Sequence, residues 1–130
     1  MRYHADERRA FYGDIFANHD GDTNLVYLNP HIPIAWHRHQ KQSDRLFLVS
    51  GILRVRIWET NPRVDGVEHL LVDTPGARDV LYIPAGWWHG YESLAPHTVV
   101  LQFNGPGKWD NGKDEERLSL DQEPWEWDAQ

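Results

Sequence analysis

Ile52-Leu53-Arg54-Val55-Arg56-Ile57-Trp58 alternates apolar and basic side chains from Leu53 to Ile57. Successive side chains of an extended chain point to opposite faces, so Leu53, Val55 and Ile57 face a core while Arg54 and Arg56 face away. Seven further segments of strand length surround this one: Asn24–Leu28, Ile32–His37, Arg45–Val49, His69–Asp73, Asp79–Ile83, Trp88–Ser93 and Thr98–Phe103. Each is rich in β-branched or aromatic residues, and ten glycines and eight prolines punctuate the intervals. Asn61-Pro62-Arg63-Val64-Asp65-Gly66 reads as a loop that separates two runs of strands, 24–59 and 69–103. The best helix candidate is the short stretch Asp6–Phe11. About eight short strands at this spacing predict an all-β domain, an antiparallel sandwich or barrel. Its core spans residues 24–103, and a tail follows over 104–130.

Composition narrows the function. A chain of 130 residues supports one domain, and 40 % apolar residues with seven tryptophans can build a real core. Net charge is −7, unevenly placed: residues 1–109 hold 12 acids and 11 bases, whereas residues 110–130 hold eight acids and two bases. A phosphate-backbone binder needs a basic stripe, and none is present, so nucleic acid is not an expected partner. No apolar run approaches the length of a membrane span. The N-terminus is polar from Met1 to Glu7 and has no signal-peptide core. With no cysteine there is neither a disulfide framework nor a thiolate site. These features predict a soluble, cytoplasmic single domain. The tail holds Trp109, Trp125 and Trp127, and three indoles predict that it packs back on the body.

Two clusters carry chemistry. In the first, His37 and His39 stand two apart on a strand and therefore share a face; Asp44 follows beyond the turn Gln40–Ser43, and Gly51 closes the pattern. The second is Pro84-Ala85-Gly86-Trp87-Trp88-His89, a tight turn feeding a strand that opens on a histidine. In this order and spacing, HxHxxxxDxxxxxxG followed by PxGxxH resembles the two motifs of the cupin superfamily, with Asp44 where a glutamate is usual. The resemblance implies a single-domain cupin-type jelly-roll barrel (a double-stranded β-helix) with the three histidines and the acid facing inward. For metal-binding members it implies that His37, His39, Asp44 and His89 hold a divalent ion. Imidazole and carboxylate together suit Fe, Mn, Ni or Zn.

A narrower resemblance covers residues 24–127. The run Trp36–Trp58, the segment Tyr82-Ile83-Pro84-Ala85-Gly86-Trp87-Trp88-His89-Gly90-Tyr91 and the tail residues Asp114-Glu115-Glu116-Arg117, Asp121 and Trp125-Glu126-Trp127 are similar to the dTDP-4-dehydrorhamnose 3,5-epimerase family. That likeness implies a metal-free, cofactor-free epimerase or isomerase acting on a dTDP-4-keto-6-deoxy sugar. His37 is then the base that removes a proton next to the ketone, Asp44 orients it, and His89 and Arg45 stabilise the enolate. Tyr91, Trp88, Arg54 and Arg56 are the substrate-binding candidates, although indoles are as readily packing and the arginines a solvated face. The stretch after the last strand holds Asn104, Lys108 and Trp109 and no tyrosine, which predicts reaction at one carbon only. A third reading is a catalytically silent sugar-binding cupin. Edge strands need protection, so a homodimer is expected, through Tyr3, Phe11, Tyr12, Phe16 and the tail.

Overall fold

The computed structural model describes residues 1–17, 19–76 and 79–126. Eleven strands form two antiparallel sheets: β1 (Arg2–Ala5), β2 (Arg9–Gly13), β3 (Asp22–Leu28), β4 (Ile34–His39), β5 (Ser43–Ser50), β6 (Ile52–Trp58), β7 (Val67–Val72), β8 (Val80–Ile83), β9 (Trp88–Ser93), β10 (Thr98–Gly105) and β11 (Glu115–Arg117). One sheet runs β1-β2-β3-β10-β5-β8 and the other β11-β4-β9-β6-β7. This is the all-β architecture expected, and all eight expected segments are strands within a few residues of their expected bounds. The Asn61–Gly66 loop contains one helical turn, α1 (Pro62–Asp65), capped by the Asn61 side chain.

Inward-facing residues divide the barrel along its length. At one end Val26, Leu28, Leu46, Leu48, Leu53, Val55 and Val100 form a closed apolar plug. At the other, Asp22 and Asn24 on β3, Gln102 on β10 and Asp44 on β5 are also buried. The polar half is where the histidines lie.

The expected helix over Asp6–Phe11 is instead the turn and second strand of the β1–β2 hairpin, with His4 opposite Phe11 and Ala5 opposite Ala10. Asp6 accepts from the backbone N–H groups of Arg8 (2.8 Å) and Arg9 (3.2 Å), the same bonds an N-cap makes. The Asp6 N–H then donates to the Arg9 carbonyl and closes a hairpin turn. A cap signature without an apolar helical stripe behind it does not propagate a helix.

The tail also joins the sheets. Its strand β11 pairs with β4, placing Arg117 opposite His37 and Glu115 opposite His39. Trp125 is buried with Trp36, Trp58 and Trp88 on the outer side of the five-stranded sheet. Gly90 seats it: a Cβ there would lie 2.9 Å from the Trp125 ring and 2.4 Å from Ala35 Cβ. Trp127 lies outside the described residues. Among the described residues no helix is long and apolar enough to cross a membrane.

Candidate metal centre and its pocket

β4 places the histidine pair through an irregularity. Ile34 pairs with Tyr91 and His37 pairs with His89, so three residues of β4 span two of β9. The extra residue is a bulge that changes the strand's facing, turning Trp36 outward to the indole cluster while Ile34, His37 and His39 face the barrel. The turn to β5 is braced by Asp114, which accepts from the N–H groups of Gln40, Lys41 and Gln42 at 3.1–3.2 Å. Gly51 ends the first motif at φ +93°, where a Cβ would lie 2.2 Å from Thr98 Oγ1; only glycine makes this turn unstrained.

His37, His39, Asp44 and His89 converge, and one ligating atom from each lies within 4.8 Å of the others. His89 Nδ1 is 3.1 Å from the Trp87 carbonyl, which it reaches as donor, so Nε2 is the ring atom directed at the cluster. His89 Nε2 and Asp44 Oδ2 are 2.8 Å apart. The two buried atoms face each other as an ion pair and make no other contact of this kind among the described residues. His39 Nε2 is 3.7 Å from Asp44 Oδ1, and Asn104 Nδ2 donates to that same oxygen. Asn104 is itself held by Asn24, whose Nδ2 donates to its Oδ1 at 2.8 Å.

Protonation follows from these contacts. Burial opposes charge on His89, but the adjacent Asp44 carboxylate outweighs it and raises the imidazole above its ordinary value. Burial favours the neutral acid at Asp44, yet His89, His39 and the Asn104 amide hold it below the usual carboxylate range. His37 has no carboxylate of its own. Burial, reinforced by His89, His39, Arg117 and Arg9, pushes it well below 6.5, so it is neutral at pH 7.

His37 and His39 of the cluster line a cavity of about 420 Å³, whose walls also include Arg9, Tyr91, Gln42 and Glu115. The donor set passes a test for a divalent ion. Three imidazoles and one carboxylate suit Fe, Mn, Ni or Zn, and one ligating atom from each already lies within 4.8 Å of the others.

Compared with known proteins, the chain matches no family model and no curated protein. Solved structures match its fold. CapF, a capsular polysaccharide assembling protein from Staphylococcus aureus, gives a TM-score of 0.75 at 22 % identity, over 91 % of this chain and 34 % of that one. An oxalate decarboxylase variant from Bacillus subtilis gives 0.72 at 14 % identity, over 90 % and 30 %. KdgF from Halomonas gives 0.64 at 16 % identity, over 82 % and 88 %. The chain folds as a cupin. It spans about a third of the CapF and oxalate decarboxylase chains and most of KdgF.

Within this fold the site candidates separate by strand parity. His37, His39, Asp44, His89 and Tyr91 come together on the inner face. Arg45 does not join them. Next to inward Asp44 it points out of the six-stranded sheet, exposed, with its guanidinium over Tyr82 (5.2 Å) and Phe103 (6.0 Å). Trp88, beside inward His89, lies outside as well, stacked on Trp58 at 5.5 Å and covered by Arg38 at 4.5 Å; its role is packing. Arg54 and Arg56 share that outer side. Arg54 pairs with Glu68 (3.3 Å) and Glu92 (3.5 Å). Arg56, instead of lying on a solvated face, is buried at 3 % exposure, where it meets Glu68, the Trp125 carbonyl and Glu126. Both arginines tie down the sheet and tail, away from the cavity. Nor does the acid expected to orient His37 reach it; Asp44 faces His89, His39 and Asn104.

Three residues of the site escaped sequence reasoning: Asn24, Asn104 and Arg9. The first two carried a signal, as polar residues at inward positions of strands otherwise apolar (Asn24-Val26-Leu28; Val100-Gln102-Asn104).

Proposed function

We propose that this cupin is a metal-dependent enzyme of the isomerase kind, with His37, His39, Asp44 and His89 holding one divalent transition ion. The observation that carries the reading is the convergence of three imidazoles and one carboxylate, His37, His39, His89 and Asp44, with one ligating atom from each within 4.8 Å of the others. When bound, such an ion polarises a carbonyl or hydroxyl oxygen of the substrate as a Lewis acid. The chain's own residues supply the rest. Asn24 and Asn104 fix the Asp44 carboxylate, and the Trp87 carbonyl fixes the His89 tautomer, the outer hydrogen bonds that set ligand direction. Tyr91, kept protonated by burial, faces His37 with ring centroids 6.5 Å apart and is the phenol placed to return a proton in the cavity. One CapF structure carries 3-isopropenyl-tropolone as an inhibitor, and adjacent tropolone oxygens are a chelating pair, which supports the reading by analogy.

A second reading, the metal-free epimerase acting on a dTDP-4-keto-6-deoxy sugar, is favoured by one observation. His37 borders the cavity as a neutral imidazole, the state a general base requires. Titrating chelator-treated protein with Fe, Mn, Ni and Zn separates the two. The metal reading expects one ion per chain, a raised unfolding temperature, and loss of both in Asp44→Ala. Deuterium incorporation into a dTDP-4-keto-6-deoxyhexose by the metal-stripped protein, abolished in His37→Ala, would instead select the second reading.

A further inference from the structure

Among the described residues the cavity above the histidines is lined by three arginines, and two of them are compensated. Arg2 is paired with Asp22 at 3.0 Å and Arg117 with Glu115 at 2.9 Å. Arg9 faces the same cavity from β2 and has no carboxylate partner among the described residues. Its Nε is buried and unbonded, its Nη1 donates to the Tyr91 hydroxyl at 3.4 Å, and its guanidinium lies 5.1 Å over the Phe11 ring. A guanidinium left without a carboxylate partner in a concave site, and held over an aromatic ring, is preorganised for a planar anion.

We propose that Arg9, together with the Tyr91 hydroxyl, anchors the carboxylate of a small oxygenated acid, and so sets the substrate class of the site. Two features select a carboxylate over a phosphate-bearing ligand. A diphosphate brings at least two negative charges, and the cavity offers one uncompensated cation. At about 420 Å³ the cavity is also near the lower end of the roughly 300–1,000 Å³ range of small-molecule sites, a size for a small acid more than for a whole sugar nucleotide. The second oxygen of the ligand, a hydroxyl or keto group, then points toward His37 and His39. Only that last placement rests on the metal-centred reading; the carboxylate anchor does not.

The test uses the full chain, metal-stripped and metal-restored, with D-glucuronate, L-malate, neutral D-glucose and thymidine diphosphate as probes. Calorimetry or quenching of Trp109, which lines the cavity, reads binding. At least one of the two acids binds, D-glucose and thymidine diphosphate bind more weakly, and Arg9→Gln weakens the acid by about tenfold or more. Arg9→Lys recovers part of the loss. Metal content equal to wild type in Arg9→Gln certifies an intact site. Acid binding unchanged in Arg9→Gln, no binding of either acid, or thymidine diphosphate binding more tightly than both acids would each overturn the assignment. Failure of the metal reading is separate: wild type binds no ion while Arg9-dependent acid binding persists in the stripped protein.

Discussion

Replacing Trp125 by alanine tests how far the tail belongs to the folded body. Trp125 is 6 % exposed, lies 5.3 Å from the Trp36 ring, sits under the Arg56 guanidinium at 4.9 Å and donates from Nε1 to Glu92 at 3.3 Å. Truncating a buried tryptophan removes about 3–5 kcal/mol, transfer and cavity terms together. The segment is terminal and can detach, which bounds the loss at the free energy of docking the tail, so the lower end applies: about 3 kcal/mol. For a domain of this size that is roughly 9 °C of unfolding temperature, at about 3 °C per kcal/mol. Equilibrium unfolding in urea, followed by circular dichroism, measures it. Trp109→Ala is the control; that ring is 46 % exposed and its removal lowers stability by no more than about 1 kcal/mol. Because β11 pairs with β4, which carries both histidines of the first motif, Trp125→Ala also weakens metal binding. A loss below 1 kcal/mol, or a larger loss for Trp109→Ala, would refute the argument that the tail is a structural latch.

Asn104→Leu removes the amide that holds Asp44 Oδ1 without touching a ligand; metal affinity falls about 10–100-fold by competition with a chromogenic chelator. Asp22 is buried, which alone would raise its pKa, but Lys108, Arg2 and the Trp109 N–H hold it below 3.8. Its ion pairs therefore stabilise the fold fully above about pH 4 and are lost as pH falls through the lowered value, so Asp22→Asn flattens the acid limb of a urea-midpoint profile. The expected sedimentation result is a homodimer, twice the 15.2 kDa chain, joined through the outer face of the six-stranded sheet where Tyr3, Tyr27 and Tyr82 are exposed; Phe11, expected from the sequence at that contact, packs against the core instead, and a monomer at micromolar concentration rejects the dimer.

Legibility followed periodicity. The alternation at Leu53, Val55 and Ile57 put Arg54 and Arg56 on the outer side, and the structure keeps them there, tying the tail instead of binding a ligand. The same parity argument would have turned Arg45 away once Asp44 faced in, and Trp88 once His89 did. What periodicity cannot convey is register. Nothing local in Asn104 says that it lies opposite Asp44 on β5 and Asp22 on β3. The bulge in β4 was equally invisible, although it decides that His37 and Ile34 share a face. Arg9 was hidden by Asp6, whose cap-like bonds serve a hairpin turn. For Asn104 and for the bulge the missing information is a long-range pairing that no window of sequence contains.

The central claim is that His37, His39, Asp44 and His89 form a metal centre, and elemental analysis tests it most directly. Protein expressed and purified without chelator is measured alongside Asp44→Ala and the outward-facing control Arg45→Ala, each checked for a native circular dichroism spectrum. The account predicts one Fe, Mn, Ni or Zn per wild-type chain, the same in Arg45→Ala, and none in Asp44→Ala. A folded wild-type protein that carries no transition metal, and takes up none when each of the four is supplied in excess, would contradict it.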